Sequence, residues 1–241
     1  MIQMRVQVEQ LVKNCELLSA LYLAGVPIHA PEGDNGTTFA LACLARAHYT
    51  FNTIVGMRDR ELDAATLFRT LYEHVVTFAW IMIDAREHFP MFLRWEFDER
   101  EKLRRGLVQL GHEFSGGDVR SALRQMSSKK APDTHDRALI ADRYWSRLDL
   151  PWHWNFRRSY VNLFRAYGAH VHPTVMGLDW FITPNNGGGI IGVPRQNHED
   201  CIVAEASLCF SDGLAVAGYC FGKSTLDELL GCLCHEMRHE N

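Results

Sequence analysis

The stretch LFRTLYEHVVTFAWIMID, residues 67–84, decides the fold class. Wound as an α-helix, it carries apolar side chains around most of its circumference, which is typical of a helix buried at the centre of a protein. Arg69 and Glu73 are four positions apart, so they can pair along the helix, and we expect the pair to be at least partly buried. The pattern predicts a central helix from Glu61 to Asp84 within an all-α fold.

The helical period continues outward from this stretch through most of the chain. We predict a single domain over residues 1–241, a bundle of six or more helices. Besides the central helix, the predicted helices cover residues 6–24, 37–57, 90–110, 137–148, 155–171, 199–219 and 224–238. Thr37 is the expected cap of the second helix, and Pro90 is placed in the first turn of the fourth, where proline is tolerated. The Asn-Asn-Gly of TPNNGGGIIGVP predicts a small hairpin or loop lobe near 181–195.

Composition indicates an intracellular globular protein. Apolar residues make up 47% of the chain and charged residues 22%, as in folded domains. The seven cysteines form no Cys-x-x-Cys and lie mostly in apolar runs, which favours free thiols in a reducing compartment. The longest apolar stretch, which we place around Val75–Ile83, is shorter than the roughly 20 residues of a membrane span. We therefore expect a cytoplasmic protein without a membrane segment.

Charge is unevenly distributed along the chain. The formal net charge is −4, yet the part from Arg94 to Arg165 holds 15 Lys and Arg against 10 Asp and Glu, a local balance of +5. A basic middle in an acidic chain is compatible with contact to a polyanion such as RNA. The alternative is that these charges only form solvated helix faces.

The segment YVNLFRAYGAHVHPT, residues 160–174, carries the candidate chemistry. Arg165 and His172 are seven positions apart, close to two helical turns, so they share a face, whereas His170 lies about 140° from Arg165. An imidazole transfers protons near neutral pH and a guanidinium stabilises a phosphorane, a combination that suits phosphodiester cleavage. The structural alternative is a histidine that closes a helix end and an Arg165 that pairs with a carboxylate.

Two further motifs predict no cofactor and no metal. The terminal HExxH, His235–His239, has only two residues after it and so lacks the downstream third ligand of a zinc protease. The glycines at 187–189 have neither the lysine of a P-loop nor the spacing of a dinucleotide site.

The stretches 67–84 and 160–174 together resemble the HEPN superfamily of helical, nucleic-acid-associated domains. More narrowly, they resemble the bacterial domain-of-unknown-function family 5677. The resemblance rests on Arg69-x-x-x-Glu73 and on the run from Tyr167 to His172 and Pro173. It covers residues 61–180, which would form a HEPN-like core.

The resemblance implies a metal-independent endoribonuclease that acts on RNA or tRNA in a defence or toxin setting. Many HEPN nucleases carry an arginine, four to six residues, and then a histidine. Arg165 would stabilise the phosphorane, His172 or else His170 would be the general acid–base, and Tyr167 would bind a phosphate oxygen. Such nucleases are usually homodimers with a composite site, and an antitoxin or defence protein is a possible partner.

Two other functions stay open. Ala166 and Gly168 depart from the nuclease pattern, and some members of the superfamily are non-catalytic binding or regulatory proteins. For Arg69 and Glu73, one interpretation is an internal ion pair that fixes helix packing, and the other is a pair that orients His172 or Arg165 across the core. The third function is binding of a small molecule in an aromatic pocket formed by Trp80, Trp95, Trp152, Trp154 and Trp180.

Overall fold

The computed structural model describes residues 9–10, 12–13, 15, 33–57, 60–111, 126–148, 150, 154–161, 182–185, 188–191 and 199–221. Six helices lie within this part of the chain, which confirms the all-α bundle. They are α1 (Asn35–Gly56), α2 (Glu61–Ile81), α3 (Ala85–Gln109), α4 (Thr134–Trp145), α5 (Phe156–Ser159) and α6 (Glu199–Phe221). Residues 9, 10, 12, 13 and 15 are also helical, inside the predicted helix 6–24. The predicted helix 224–238 and most of 155–171 lie outside the described residues.

The hairpin predicted near 181–195 is present. Strand β1 (Ile182–Asn185) pairs antiparallel with β2 (Gly188–Ile191). In the register, Ile182 lies opposite Ile191 and Asn185 lies opposite Gly188, which leaves two residues to connect the strands. A connection of this length is the commonest one in hairpins.

Helix α2 is the buried centre of the bundle, as its apolar circumference predicted. Its enclosed side chains are Phe68, Leu71, Tyr72, Val75, Val76, Phe78, Ala79, Trp80 and Ile81. Helices α1, α4 and α6 pack against it. The helices α1 and α6 also meet each other, because the rings of Phe51 and Phe210 stack with their centroids 4.9 Å apart. A helix with neighbours on several sides can expose little of its own surface to water, which explains why α2 is apolar all round.

Helix α1 begins earlier than predicted. Its cap is Asp34 and not Thr37. The Asp34 carboxylate accepts hydrogen bonds from the Thr37 amide at 2.9 Å and from the Thr37 hydroxyl at 2.7 Å. Because one aspartate oxygen satisfies an amide that has no partner within the helix, Asp34 performs the capping function, and Thr37 is a buried residue of the first turn.

Two further helices were predicted to start too late, for the same reason. Asp84 caps α3 by accepting from two amides of the first turn, so Pro90 lies inside the helix and not in its first turn. Proline has no amide hydrogen, so the Arg86 carbonyl loses its usual donor, at an exposed position near the helix start. Asp133 caps α4, which therefore runs over 134–145 and not over 137–148.

Helix α6 contains the longest apolar window among the described residues, longer than the stretch Val75–Ile83. The window Ile202–Phe221 has a mean hydropathy of 1.2, which by length and composition would suffice to cross a membrane. In the structure 78% of this window is buried inside the protein, against α1 and α2. It also holds the buried polar residues Ser207, Ser211 and Asp212. Burial of this kind is typical of a core helix.

The cysteines that the structure describes with their side chains carry free thiols, as predicted: Cys15, Cys43, Cys209 and Cys220. Burial raises the pKa of Cys43 to about 12. A thiol that stays protonated at neutral pH is a poor nucleophile, so Cys43 acts as a packing residue.

Candidate functional site

The predicted catalytic residues Arg165, Tyr167, His170 and His172 lie outside the described residues. The structure does describe the place from which their segment departs. Helix α5 and the following Tyr160 form the first turn of the predicted helix 155–171. The packing of this turn therefore fixes the described residues that directly precede Arg165 in the chain.

Helix α5 is attached to the central helix by buried aromatic residues. The hydroxyl of Tyr72 donates a hydrogen bond to the Phe156 carbonyl at 2.6 Å. Both side chains are enclosed, at 0% and 1% exposure. The rings of Tyr72 and Tyr160 lie 6.3 Å apart. Burial raises the pKa of the Tyr72 hydroxyl, so this group remains a neutral donor across the physiological range.

Carboxylates from two other helices hold the start of α5. Asp212 of α6 accepts a hydrogen bond from the Asn155 amide at 3.1 Å. Asp142 of α4 accepts from the Arg157 amide at a longer 3.5 Å. Negative groups are favourable at a helix start because the first amides point toward them and lack partners within the helix. Burial raises the pKa of Asp142, against the hydrogen bond and the charge from Arg157.

Arg69 and Glu73 form the ion pair that their spacing predicted. The Arg69 Nε lies 3.4 Å from the Glu73 Oε1. Their side chains are 38% and 40% exposed, so the pair lies at the edge of the core and not inside it. An ion pair this exposed contributes little to stability. Its second predicted role, to orient Arg165 or His172, stays a prediction.

Arg137 is a buried cation that sequence reasoning missed. It is only 4% exposed. Its guanidinium donates to the Thr77 hydroxyl at 2.7 Å and to the Thr134 hydroxyl at 3.1 Å, and it lies 5.6 Å from the ring centres of Phe92 and Trp95. Since arginine stays charged in proteins, hydroxyl and aromatic groups must replace the lost hydration. One signal was available: Arg137 falls on the same face of α4 as the apolar Ala138, Ala141 and Trp145.

Arg137 and Glu73 connect the two polar features of α2. Burial lowers the pKa of Arg137, and the charge of Glu73 opposes this effect more than any other group. Arg69, Glu73 and Thr77 follow one another at intervals of four residues, so they form one polar stripe along α2. Tyr72, which holds α5, is the neighbour of Glu73 in the chain.

His135 faces the same region from α4. Its ring lies 4.4 Å from that of Tyr160. Its Nδ1 atom is buried and has no hydrogen-bond partner among the described residues. A buried ring nitrogen without a partner is uncommon, and here it lies next to the residue that precedes the Arg165 segment.

The remaining sequence candidates fall into two groups. Trp152, Trp180 and the terminal HExxH lie outside the described residues. The other tryptophans pack against protein: Trp80 stacks on His88, Trp95 contacts Arg137, and Trp154 stacks on Phe156. Within the described part of the chain, no group of three or more His, Cys, Asp or Glu side chains is arranged to hold a metal.

Comparison with known proteins gives one match. No curated protein and no solved structure is significantly similar to the chain. The profile of a family of unknown function (DUF5677) matches residues 38–190, from the first turn of α1 to the end of the hairpin. The matched region includes Arg69, Glu73, Arg137 and the segment with Arg165. Because the match covers more than half of the chain, this protein belongs to the family of unknown function DUF5677.

Proposed function

We propose that the chain is a HEPN-like, metal-independent endoribonuclease that acts on RNA or tRNA in the cytoplasm, in a defence or toxin context. The observation that supports it is the attachment of α5 beside the polar stripe of α2. Tyr72 holds the start of the segment that carries Arg165, one residue away from the Arg69–Glu73 pair. The resemblance to HEPN-like proteins rests on these same two motifs, which is why the attachment of α5 beside Arg69 and Glu73 supports the proposal.

In the proposed reaction the RNA supplies its own 2′-hydroxyl as the nucleophile. His172, or else His170, removes the proton from that hydroxyl, and the 2′ oxygen attacks the adjacent phosphorus. Arg165 stabilises the negative charge of the phosphorane, and Tyr167 donates to a phosphate oxygen. The bond between phosphorus and the 5′ oxygen then breaks and leaves a 2′,3′-cyclic phosphate. The 5′ oxygen takes up a proton and becomes a hydroxyl. Two copies of the chain would contribute to a composite site.

The test compares RNA cleavage by the purified protein and its variants. Arg165→Ala and His172→Ala should each reduce cleavage by on the order of a hundredfold or more, as loss of an acid–base group does. Arg165→Lys should be similarly damaging, since lysine lacks the planar guanidinium. Arg105→Ala, on the exposed face of α3, is the matched control and should cleave at the wild-type rate. EDTA should not abolish the activity.

A non-catalytic binding or regulatory protein on the same fold is the second candidate. The departures at Ala166 and Gly168 favour it. A purified homodimer that binds several RNAs and leaves them intact would support this candidate against the nuclease. Cleavage that persists in both alanine variants would show that the catalytic residues are different ones.

A further inference from the structure

Two groups of basic side chains in the described region differ in how their charge is balanced. Those in the second half of α3 lie close to carboxylates of the same helix. The pairs are Arg100–Glu96, Lys102–Glu99, Arg104–Glu101 and Arg105–Glu101. Lys129 and Lys130 likewise lie close to Glu87 and Asp98 of α3. This face therefore has most of its positive charge balanced locally, and it offers little attraction to an external anion.

The second group is a cluster of four arginines at the end of α4 and the start of α5. Its members, all exposed, are Arg143, Arg147, Arg157 and Arg158. None of them lies within 4 Å of a carboxylate in the described part of the chain. The two helices are in contact, as the Arg157 amide reaches Asp142 and the rings of Trp145 and Trp154 lie 5.7 Å apart. The four arginines therefore lie around the contact between α4 and α5, and we call this group the arginine surface.

Two acidic groups approach the arginine surface without neutralising it. Asp142 acts on Arg157 by charge, and Glu205 of α6 acts on Arg158. Both carboxylates are partly buried, and that of Asp142 is directed to the Arg157 amide. Among the described residues, four exposed positive charges against these two partly buried negative ones leave an excess of positive charge facing solvent. Such an excess attracts polyanions.

An exposed aromatic ring lies next to Arg143 in the chain. Tyr144 is 38% exposed and follows Arg143 directly in the chain. The edge-to-face contact of its ring with Trp145, at 5.1 Å and 82°, holds it in place. Arginines that contact phosphates beside a fixed aromatic ring that stacks on a base are the usual elements of a surface for single-stranded nucleic acid.

We propose that the arginine surface, together with Tyr144, binds the backbone of single-stranded RNA. Arg158 precedes Arg165 by seven residues, so the surface is close in the chain to the proposed catalytic segment. The identity of the ligand as RNA rests on the proposed function. The position of the surface rests on four exposed arginines that have no carboxylate within 4 Å among the described residues.

The experiment measures binding of a fluorescent, single-stranded RNA of about 20 nucleotides to the His172→Ala protein, which leaves the RNA intact. Affinity is measured as a function of salt concentration. The double change Arg143→Gln and Arg147→Gln should lower the salt slope by about 1.4, at about 0.7 for each lost phosphate contact. By the same relation, affinity at about 0.1 M salt should fall roughly 25-fold.

The matched control is the double change Arg100→Gln and Arg105→Gln, which alters net charge equally on the paired face of α3. It should leave the salt slope unchanged. Tyr144→Leu should weaken binding about 5-fold or more without changing the slope, because a stacking contact releases no counterions. Thermal unfolding of each variant verifies that it is folded.

Two results would overturn the proposal. One is an equal loss of affinity in the two double variants, which would reduce the effect to net charge. The other is the absence of RNA binding by the His172→Ala protein at low salt. The surface and the nuclease are tested separately: if RNA binding depends on the arginine surface but the wild-type protein cleaves no RNA, the surface stands and the nuclease is refuted. If the wild-type protein cleaves RNA and the arginine variant binds and cleaves it as well as wild type, the nuclease stands and the surface is refuted.

Discussion

Replacing Tyr72 with phenylalanine tests whether α5 is held by the buried hydroxyl. The change keeps the ring and leaves no cavity larger than one oxygen atom, but it removes the 2.6 Å hydrogen bond to the Phe156 carbonyl. That carbonyl belongs to a residue whose side chain is 1% exposed, so water is a poor replacement for the donor. The carbonyl keeps the Tyr160 amide as a second donor, so the change removes one hydrogen bond, which is worth about 0.5–1.5 kcal/mol. We expect Tyr72→Phe to lower the free energy of unfolding by that amount.

The assay is urea unfolding followed by circular dichroism, with a thermal scan beside it. Each kcal/mol should lower Tm by about 2–4 °C in a chain of this size. Tyr219→Phe is the control: Tyr219 is 48% exposed, and its loss of a hydroxyl should change stability by less than about 0.5 kcal/mol. If Tyr72→Phe is as stable as the wild type at an unchanged urea dependence, the hydroxyl does not anchor α5 and the reasoning fails.

Three other predictions follow from local environments. Burial raises the pKa of Glu205 above its usual 4.5, so the folded protein holds this proton more tightly than the unfolded chain does. The resulting stabilisation is complete below pH 4.5 and is lost as pH rises. In urea unfolding from pH 4.5 to 8, the free energy of unfolding should therefore fall less for Glu205→Gln than for the wild type. Gly36→Ala places a methyl group 2.6 Å from the Ala85 carbonyl oxygen and should lower the free energy of unfolding by about 1–3 kcal/mol. Gly106→Ala, with open space around it, should raise the free energy of unfolding by about 0.4–1 kcal/mol. Chemical denaturation measures both. Cys43, with its pKa of about 12, should resist maleimide labelling at pH 8 until the protein unfolds, as peptide mapping by mass spectrometry would show.

The sequence pattern predicted the interior of the helices better than their starts. Apolar periodicity depends on many residues at once, so the burial of α2 could be foreseen. The hairpin near 181–195 could be foreseen from its turn residues, Asn-Asn-Gly. A helix start depends on one side chain. Asp34, Asp84 and Asp133 each precede their helix, and the rule that aspartate caps a helix would have found them. Thr37 and Pro90 are also residues that favour helix starts, but they lie after the true caps of α1 and α3.

Arg137 could not have been located by the same means. Its main partner is the hydroxyl of Thr77, 60 positions away in the chain, and no local rule connects the two. An arginine on a short helix is ordinarily interpreted as a solvated charge, since most arginine side chains in proteins are exposed to solvent. The Arg69–Glu73 pair, in contrast, was predictable because its two members are neighbours on one helix.

The contact between Cys15 and α6 has a consequence for the size of the folding unit. The Cys15 Sγ lies 3.3 Å from the Ser211 hydroxyl, across 196 positions of the chain. Both residues fall outside the region 38–190 that defines the family, and so does Phe210, which fills the core against α1. The unit of homology is thus smaller than the unit that encloses the core. A chain cut to residues 38–190 would expose the apolar faces of α1 and α2 that α6 covers, and we expect such a chain to aggregate.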